Sequence, residues 1–294
     1  MKNISPADAL KGIKKSVFVL DGMEPFRRTC ATDQAWTSII HSTNDIFVSL
    51  VLRAKFKAQE MSKRIPLEMK DLRFGYERSQ EILHINKFSI DIGERVFLYG
   101  PSGSGKTTLL GLIAGVLHGA SGTLNVLGED FARTEGGEKD AFRGNNIGYI
   151  FQQFNLIPFL TVAENVILPT RMNPLRKGNL AGISPTQEAL RLCSALGIEA
   201  SFHKRAADLS VGQQQRVAAA RALIGSPEFI IADEPTSALD SDVRKAFLEL
   251  VFAQCEMQRT ALLFVSHDRS LMPMFSRSVS LLEINTAQRQ ASAW

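Results

Sequence analysis

Cysteine is scarce: Cys30, Cys193 and Cys255 are the only three in a chain of 294 residues. Odd in number and widely spaced, they form neither a disulfide framework nor a zinc pattern, which points to a reducing compartment. Long apolar runs are missing as well. Stretches such as Ile46–Leu52 and Phe229–Ala232 stop far short of the about 18 residues a membrane-spanning helix needs. There is no internal repeat, no low-complexity tract and no succession of short basic, apolar and small-residue regions of the kind that marks a secretory signal. What is present, 45% apolar and 22% charged residues, is the balance of a globular chain. That excludes a disordered, collagenous or disulfide-scaffold protein, and the length suits one large domain or two small ones.

The formal charge of +4 is unevenly placed. Residues 1–60 hold nine of the 34 basic and six of the 30 acidic side chains, a net of +3. The other 25 basic and 24 acidic side chains nearly cancel over residues 61–294. Ser5-Pro6-Ala7-Asp8 is a helix start, followed at helical spacing by Leu10, Ile13, Val17 and Leu20 with Lys11, Lys14 and Lys15 elsewhere on the wheel. A second helical rhythm runs through Trp36, Ile40, Phe47, Leu50 and Ala54. Three readings stand open for this N-terminal extension: a basic amphipathic arm resting on a membrane or partner, a poorly packed tail, or a misassigned start with translation beginning at Met61.

From residue 66 the pattern alternates. Extended apolar segments at Phe88–Ile92, Val96–Tyr99, Ile147–Phe151, Phe229–Ala232 and Ala261–Val265 are separated by helix-like stretches, which predicts an α/β domain with a mostly parallel sheet. A helical insert is expected at about residues 160–225. Its clearest helix is Pro185–Leu196, with Ser184 as N-cap, Gln187 closing a capping box and Gly197 as the stop.

Gly100-Pro101-Ser102-Gly103-Ser104-Gly105-Lys106-Thr107 matches the phosphate-binding loop G-x-x-x-x-G-K-[ST], with a strand (Arg95–Tyr99) before it and a helix (Thr107–Leu117) after it. Glycines let successive backbone N–H groups curl round phosphate oxygens, and the helix N-terminus adds a favourable dipole. Lys106 supplies compensating charge and the Thr107 hydroxyl is a Mg²⁺ ligand; Thr108 follows as a further nucleotide contact. Phe229-Ile230-Ile231-Ala232-Asp233-Glu234 is an apolar strand ending in two acids. A solvated strand end is a reasonable account of one carboxylate and a weak one of both beside a phosphate loop. Asp233 is assigned to Mg²⁺ and Glu234 to orienting and polarising the attacking water.

Leu209-Ser210-Val211-Gly212-Gln213-Gln214-Gln215-Arg216-Val217 resembles the signature sequence of ABC-transporter ATPases, commonly LSGGQ. Alone, Ser210 and Gln213 describe a capping box opening an alanine-rich helix. Set between the phosphate loop and Asp233-Glu234 in this order, the stretch is similar to the family motif, and the resemblance covers about residues 66–285. It implies a P-loop NTPase fold with a mostly parallel core sheet, an antiparallel β subdomain and a helical subdomain carrying the signature. Further residues take roles only through it. Tyr76 matches the aromatic that stacks on adenine, with Phe74 as a rival. Gln152 matches the glutamine that reaches Mg²⁺ and the attacking water, in preference to Gln153. Ser237-Ala238-Leu239-Asp240 matches the loop crossing to a second subunit, and His267 the switch histidine at the γ-phosphate. Val211 departs from the family pattern by replacing the first glycine of LSGGQ, while Ser210 and Gly212, which face the γ-phosphate across the dimer, are retained.

The resemblance implies ATP and Mg²⁺ as cofactors, a homodimer closed head to tail around two ATP molecules, and a separate transmembrane permease subunit. It places the chain in the cytoplasm, peripheral on the cytoplasmic face of the membrane. Ile147–Val166 looks most like the ATPases of lipoprotein-release, macrolide-efflux and cell-division complexes, and amino-acid importers share much of the segment. An alternative is a non-transport motor that transmits force through a membrane partner to an envelope or division process. A nucleic-acid or ribosome-associated role is disfavoured, since no basic patch interleaved with aromatics is present and no coiled-coil insertion or second ATPase domain fits. The region after about residue 285 is too short for a regulatory domain.

Overall fold

The computed structural model describes residues 64–76, 81–134, 136–236 and 241–287. The two helical rhythms expected before residue 61, and Cys30, lie outside the described residues. In chain order the first elements are strands β1 (Leu67–Phe74), β2 (Leu83–Ile90) and β3 (Arg95–Tyr99), helix α1 (Lys106–Ile113), strands β4 (Ser121–Val126) and β5 (Glu129–Asp130), helix α2 (Gly136–Asn146) and strand β6 (Ile147–Ile150). Four helices follow: α3 (Val162–Met172), α4 (Pro174–Gly178), α5 (Pro185–Ala195) and α6 (Val211–Leu223). The remainder is β7 (Phe229–Asp233), α7 (Ser241–Gln258), β8 (Ala261–Val265), β9 (Arg277–Ser280) and α8 (Leu281–Ile284).

Uninterrupted apolar runs suit strands covered on both faces, and β3, β7 and β8 are such runs. They form the middle of a wholly parallel five-stranded sheet of order β6-β7-β8-β3-β9. Alternate residues of these strands feed two different cores. Phe97, Ile230, Ala232, Leu262 and Phe264 face a core shared with α3, α5, α6 and α7. Val96, Leu98, Ile231, Leu263 and Val265 face a core shared with α1 and a second, antiparallel sheet of order β2-β1-β4-β5. Phe97 stacks on Phe264 at 6.0 Å and meets Phe275 at 5.1 Å. Burying a ring of this kind stabilises the fold by about 1.5–3 kcal/mol.

The helical insert occupies α3 to α6. Its clearest helix begins as expected: Ser184 Oγ accepts from the Gln187 N–H and Gln187 Oε1 accepts from the Ser184 N–H. Two boundaries differ from expectation. The extended segment Phe88–Ile92 is the end of the longer β2, and Ile92 belongs to a turn closed by the Glu94 N–H donating to Asp91 O. The helix after the phosphate loop stops at Ile113 and not at Leu117. Gly115 has a φ of 67°, its N–H donates to Leu112 O and the Val116 N–H to Gly111 O, the paired bonds of a Schellman stop. Both described cysteines, Cys193 and Cys255, are buried and free, and burial pushes each thiol up to about 12.

Candidate functional site: four strand ends in a row

In a parallel sheet all strands point the same way, so the loops leaving neighbouring strands meet at one edge. Here β6, β7, β8 and β3 are consecutive neighbours. Gln152 comes two residues after β6, Glu234 directly after β7, His267 two residues after β8, and the phosphate loop directly after β3. Register holds these ends level: Ile150 pairs with Ala232, Asp233 with Val265, and Leu98 with Val265.

The phosphate loop winds tightly. Gly103 and Gly105 have φ of 79° and 92°, and a Cβ at Gly105 would stand 2.9 Å from Leu83 Cδ2. A side chain at position 105 is thus disfavoured by the backbone conformation, and its Cβ would also press the tip of Leu83 aside. Ser104 Oγ is buried with no hydrogen-bond partner, close to where a Cβ on Gly100 would lie. Lys106 Nζ donates to Gly100 O and Pro101 O, both at 2.9 Å, laying its charge across the loop mouth. Thr107 is exposed and Thr108 buried on the first turn of α1, and Pro101 and Ser102 are exposed. An orphaned hydroxyl, an ammonium on the rim and a helix N-terminus below fit a polyphosphate.

Asp233 ends β7 half-buried. Burial holds its carboxyl above the usual carboxylate range, the adjacent Glu234 adds to that, and the Lys106 charge opposes both. Glu234 has a φ of 43°, an uncommon conformation that costs about 1–2 kcal/mol, and its N–H donates to Val265 O at 2.9 Å. Its Oε2 lies 3.1 Å from Nδ1 of His267. The histidine loop is pinned by Asp268, whose carboxylate accepts from the Ser270 N–H and hydroxyl and from the Arg244 guanidinium. The carboxylate of Asp233, the hydroxyl of Thr107 and the amide oxygen of Gln152 are hard-oxygen donors of the types Mg²⁺ takes alongside phosphate.

Tyr76 is 64% exposed and its hydroxyl is 3.3 Å from Thr108 Oγ1, so the structure brings it to the phosphate-loop helix. Phe74 is buried in the core and meets the Tyr76 ring edge-on at 5.2 Å. Gln152 and Gln153 are both exposed. Ser210, Gly212 and Gln213 stand apart, at the start of α6 in the helical layer. The capping box is formed, and Gln213 Nε2 also donates to Ser201 Oγ at 3.3 Å, so this side chain is occupied within its own layer. Val211, in place of a glycine, is half-exposed on the first turn. Asp240 and the rest of 237–240 lie outside the described residues.

Sequence reasoning missed two groups at this edge. Tyr149 stacks on Phe151 at 4.2 Å, and its hydroxyl is held above its ordinary range by burial and then by the Asp233 charge. Arg221, in the alanine-rich part of α6, reaches the loop after β6. An arginine among small buried residues was the available signal.

Residues 83–237, a little over half the chain, match the family described as ABC transporter. An uncharacterised ABC transporter ATP-binding protein of Mycobacterium tuberculosis is 36% identical over 70% of this chain and 61% of its own length. The chain thus spans about three fifths of that relative. A lipoprotein-releasing system ATP-binding protein, LolD 2 of Rhodospirillum rubrum, is 37% identical over 70% of this chain and 88% of its own. Two dimeric structures of a bacterial ABC transporter cassette, one in a post-hydrolysis state bound to ADP and Pi, superpose with a TM-score of 0.63. They are 31% and 32% identical and cover 73% of this chain and 93% of theirs. With the relative from Rhodospirillum rubrum covered over most of its length and the fold shared, this chain belongs to the ABC transporter family as an ATP-binding cassette.

Proposed function

We propose that this chain is the ATP-binding and ATP-hydrolysing subunit of an ABC transporter, with residues 61–294 as its cassette. The observation that carries the reading is the row of four strand ends, which sets Gln152, Glu234, His267 and the phosphate loop along one edge of one sheet. Residues 100–108 cradle the phosphates, Tyr76 packs on the base, and Lys106 neutralises phosphate charge. Asp233, Thr107 and Gln152 would hold Mg²⁺, which would supply neutralising charge for the phosphate oxygens. Glu234 accepts hydrogen bonds from the attacking water and polarises it; His267, bonded to Glu234, holds that carboxylate and meets the γ-phosphate.

Two copies close head to tail, each offering Ser210, Gly212 and Gln213 to the phosphates held by the other, with Asp240 at the crossing. That similar cassettes are solved as dimers supports the pairing of two copies. A shared anionic ligand holds the interface shut while the γ-phosphate is present; its loss removes the differential contact. Among the described residues no helix is long and apolar enough to cross a membrane, so transport calls for a separate permease, with this subunit on the cytoplasmic face. Likeness to a lipoprotein-releasing ATPase supports a permease that transmits force.

Phosphate release from MgATP by the full-length chain tests the activity, and gel filtration of Glu234→Gln in saturating MgATP tests the dimer. The variant is expected to bind ATP, turn over at least about 100-fold more slowly and elute as a dimer. Monomeric elution with unimpaired turnover would overturn the reading.

A further inference from the structure

Strand β6 is fastened to the last turn of α6 along its whole length. At its first residue, the buried guanidinium of Arg176 donates to Ile147 O and, on the same side chain, to Ala222 O and Ile224 O at the end of α6 and to Gly144 O. In its middle, α6 comes so close that a Cβ on Gly148 would stand 2.5 Å from Ala222 O. Beyond its last residue, Arg221 of α6 donates to Asn155 O at 2.7 Å and to Phe154 O. Phe154 and Asn155 have φ of 59° and 49°, two consecutive residues in a conformation that L-amino acids avoid. Neither arginine has a carboxylate partner among the described residues; both spend their charge on backbone carbonyls.

We propose that Arg221 is a positioning residue for ATP hydrolysis: by holding the Phe154–Asn155 turn it fixes the backbone that presents Gln152, and ties that glutamine to the helix whose other end carries Ser210. This rests on the function proposed above and adds to it a route between the two ends of the site. The turn follows Gln152 by two residues, so a change of one left-handed residue to an ordinary conformation re-aims the glutamine. Two donors in a planar fork hold two adjacent carbonyls, which a lysine cannot reproduce with one nitrogen. The link also predicts that a change at the Ser210 end of α6 is felt at Gln152 through that helix.

The test is a double-mutant cycle in the full-length chain, with Arg221→Lys and Arg221→Met each made alone and with Gln152→Ala. Arg221→Met is expected to lower kcat about 10- to 100-fold while KM and fluorescent-nucleotide affinity stay within about twofold, and Arg221→Lys to fall between it and wild type. In the Gln152→Ala background neither change lowers kcat further. If the two losses multiply instead, or if nucleotide affinity falls with kcat, Arg221 acts as a general support of the fold and the inference is overturned. Where Arg221→Met fails to fold, the Arg221→Lys arm carries the same cycle. A wild-type chain that turns over normally alongside unimpaired Arg221 variants sinks this inference alone; a wild-type chain without turnover sinks the function on which it rests.

Discussion

Nδ1 of His267 and Oε2 of Glu234 stand 3.1 Å apart, though the residues leave different strands and are separated by 33 positions. The contact needs both the uncommon backbone of Glu234 and the loop held by Asp268. Substituting His267→Ala removes the contact and leaves the carboxylate free to rotate. Turnover is expected to fall about 100-fold with ATP binding retained, the scale of a lost proton-handling or orienting group. Steady-state phosphate release beside equilibrium binding of a fluorescent nucleotide measures both; full turnover in the variant contradicts the role.

Lys106→Ala takes away the ammonium that spans Gly100 O and Pro101 O. The loop loses two charge-assisted hydrogen bonds and any phosphate in it loses its counter-charge. ATP affinity should drop at least about 30-fold, equivalent to about 2 kcal/mol. Equilibrium dialysis or nucleotide fluorescence reads this directly, and unchanged affinity would count against the loop as the phosphate site.

Asp268 predicts a pH signature in stability. Donation by the Ser270 hydroxyl, then by its N–H and by Arg244, holds the carboxyl below its ordinary value despite partial burial. A folded-state pKa below the unfolded one gives stability that is present at neutral pH and is lost as pH falls through the depressed value. Asp268→Asn keeps an oxygen to accept from Ser270 but loses the charge that faces Arg244, and should therefore cost about 1 kcal/mol at pH 7, with the gap closing below about pH 4. Urea melts across that range decide it; a gap independent of pH would mean the carboxylate charge is irrelevant there.

Features written in short-range hydrogen bonds were legible before the structure. The boxes at Ser184/Gln187 and Ser210/Gln213 close within three residues, so spacing alone reveals them. Buried strands such as Ala261–Val265 are apolar throughout, and Asp233-Glu234 breaks its run conspicuously. Strands β1, β4, β5 and β9 were harder, because they are short or half-exposed and their apolar residues do not form continuous runs. The end of α1 at Ile113, four residues before the expected stop, turned on the backbone at Gly115. Arg176 and Arg221 left almost no trace: each bonds carbonyls that lie between 29 and 67 positions away, and a carbonyl has no sequence identity.

The level row of strand ends makes the proposed chemistry a readout of sheet registry. Adjacent strands lie about 4.8 Å apart, so four of them set out their terminal residues over about 15 Å. A slip of one residue in β7 or β8 would carry Glu234 or His267 to the opposite face while keeping most of the apolar surface buried. Such a chain would still be compact and would still pass for folded by helix content or size. The proposed catalytic edge is therefore a more exacting witness of correct pairing than the stability of the domain that carries it.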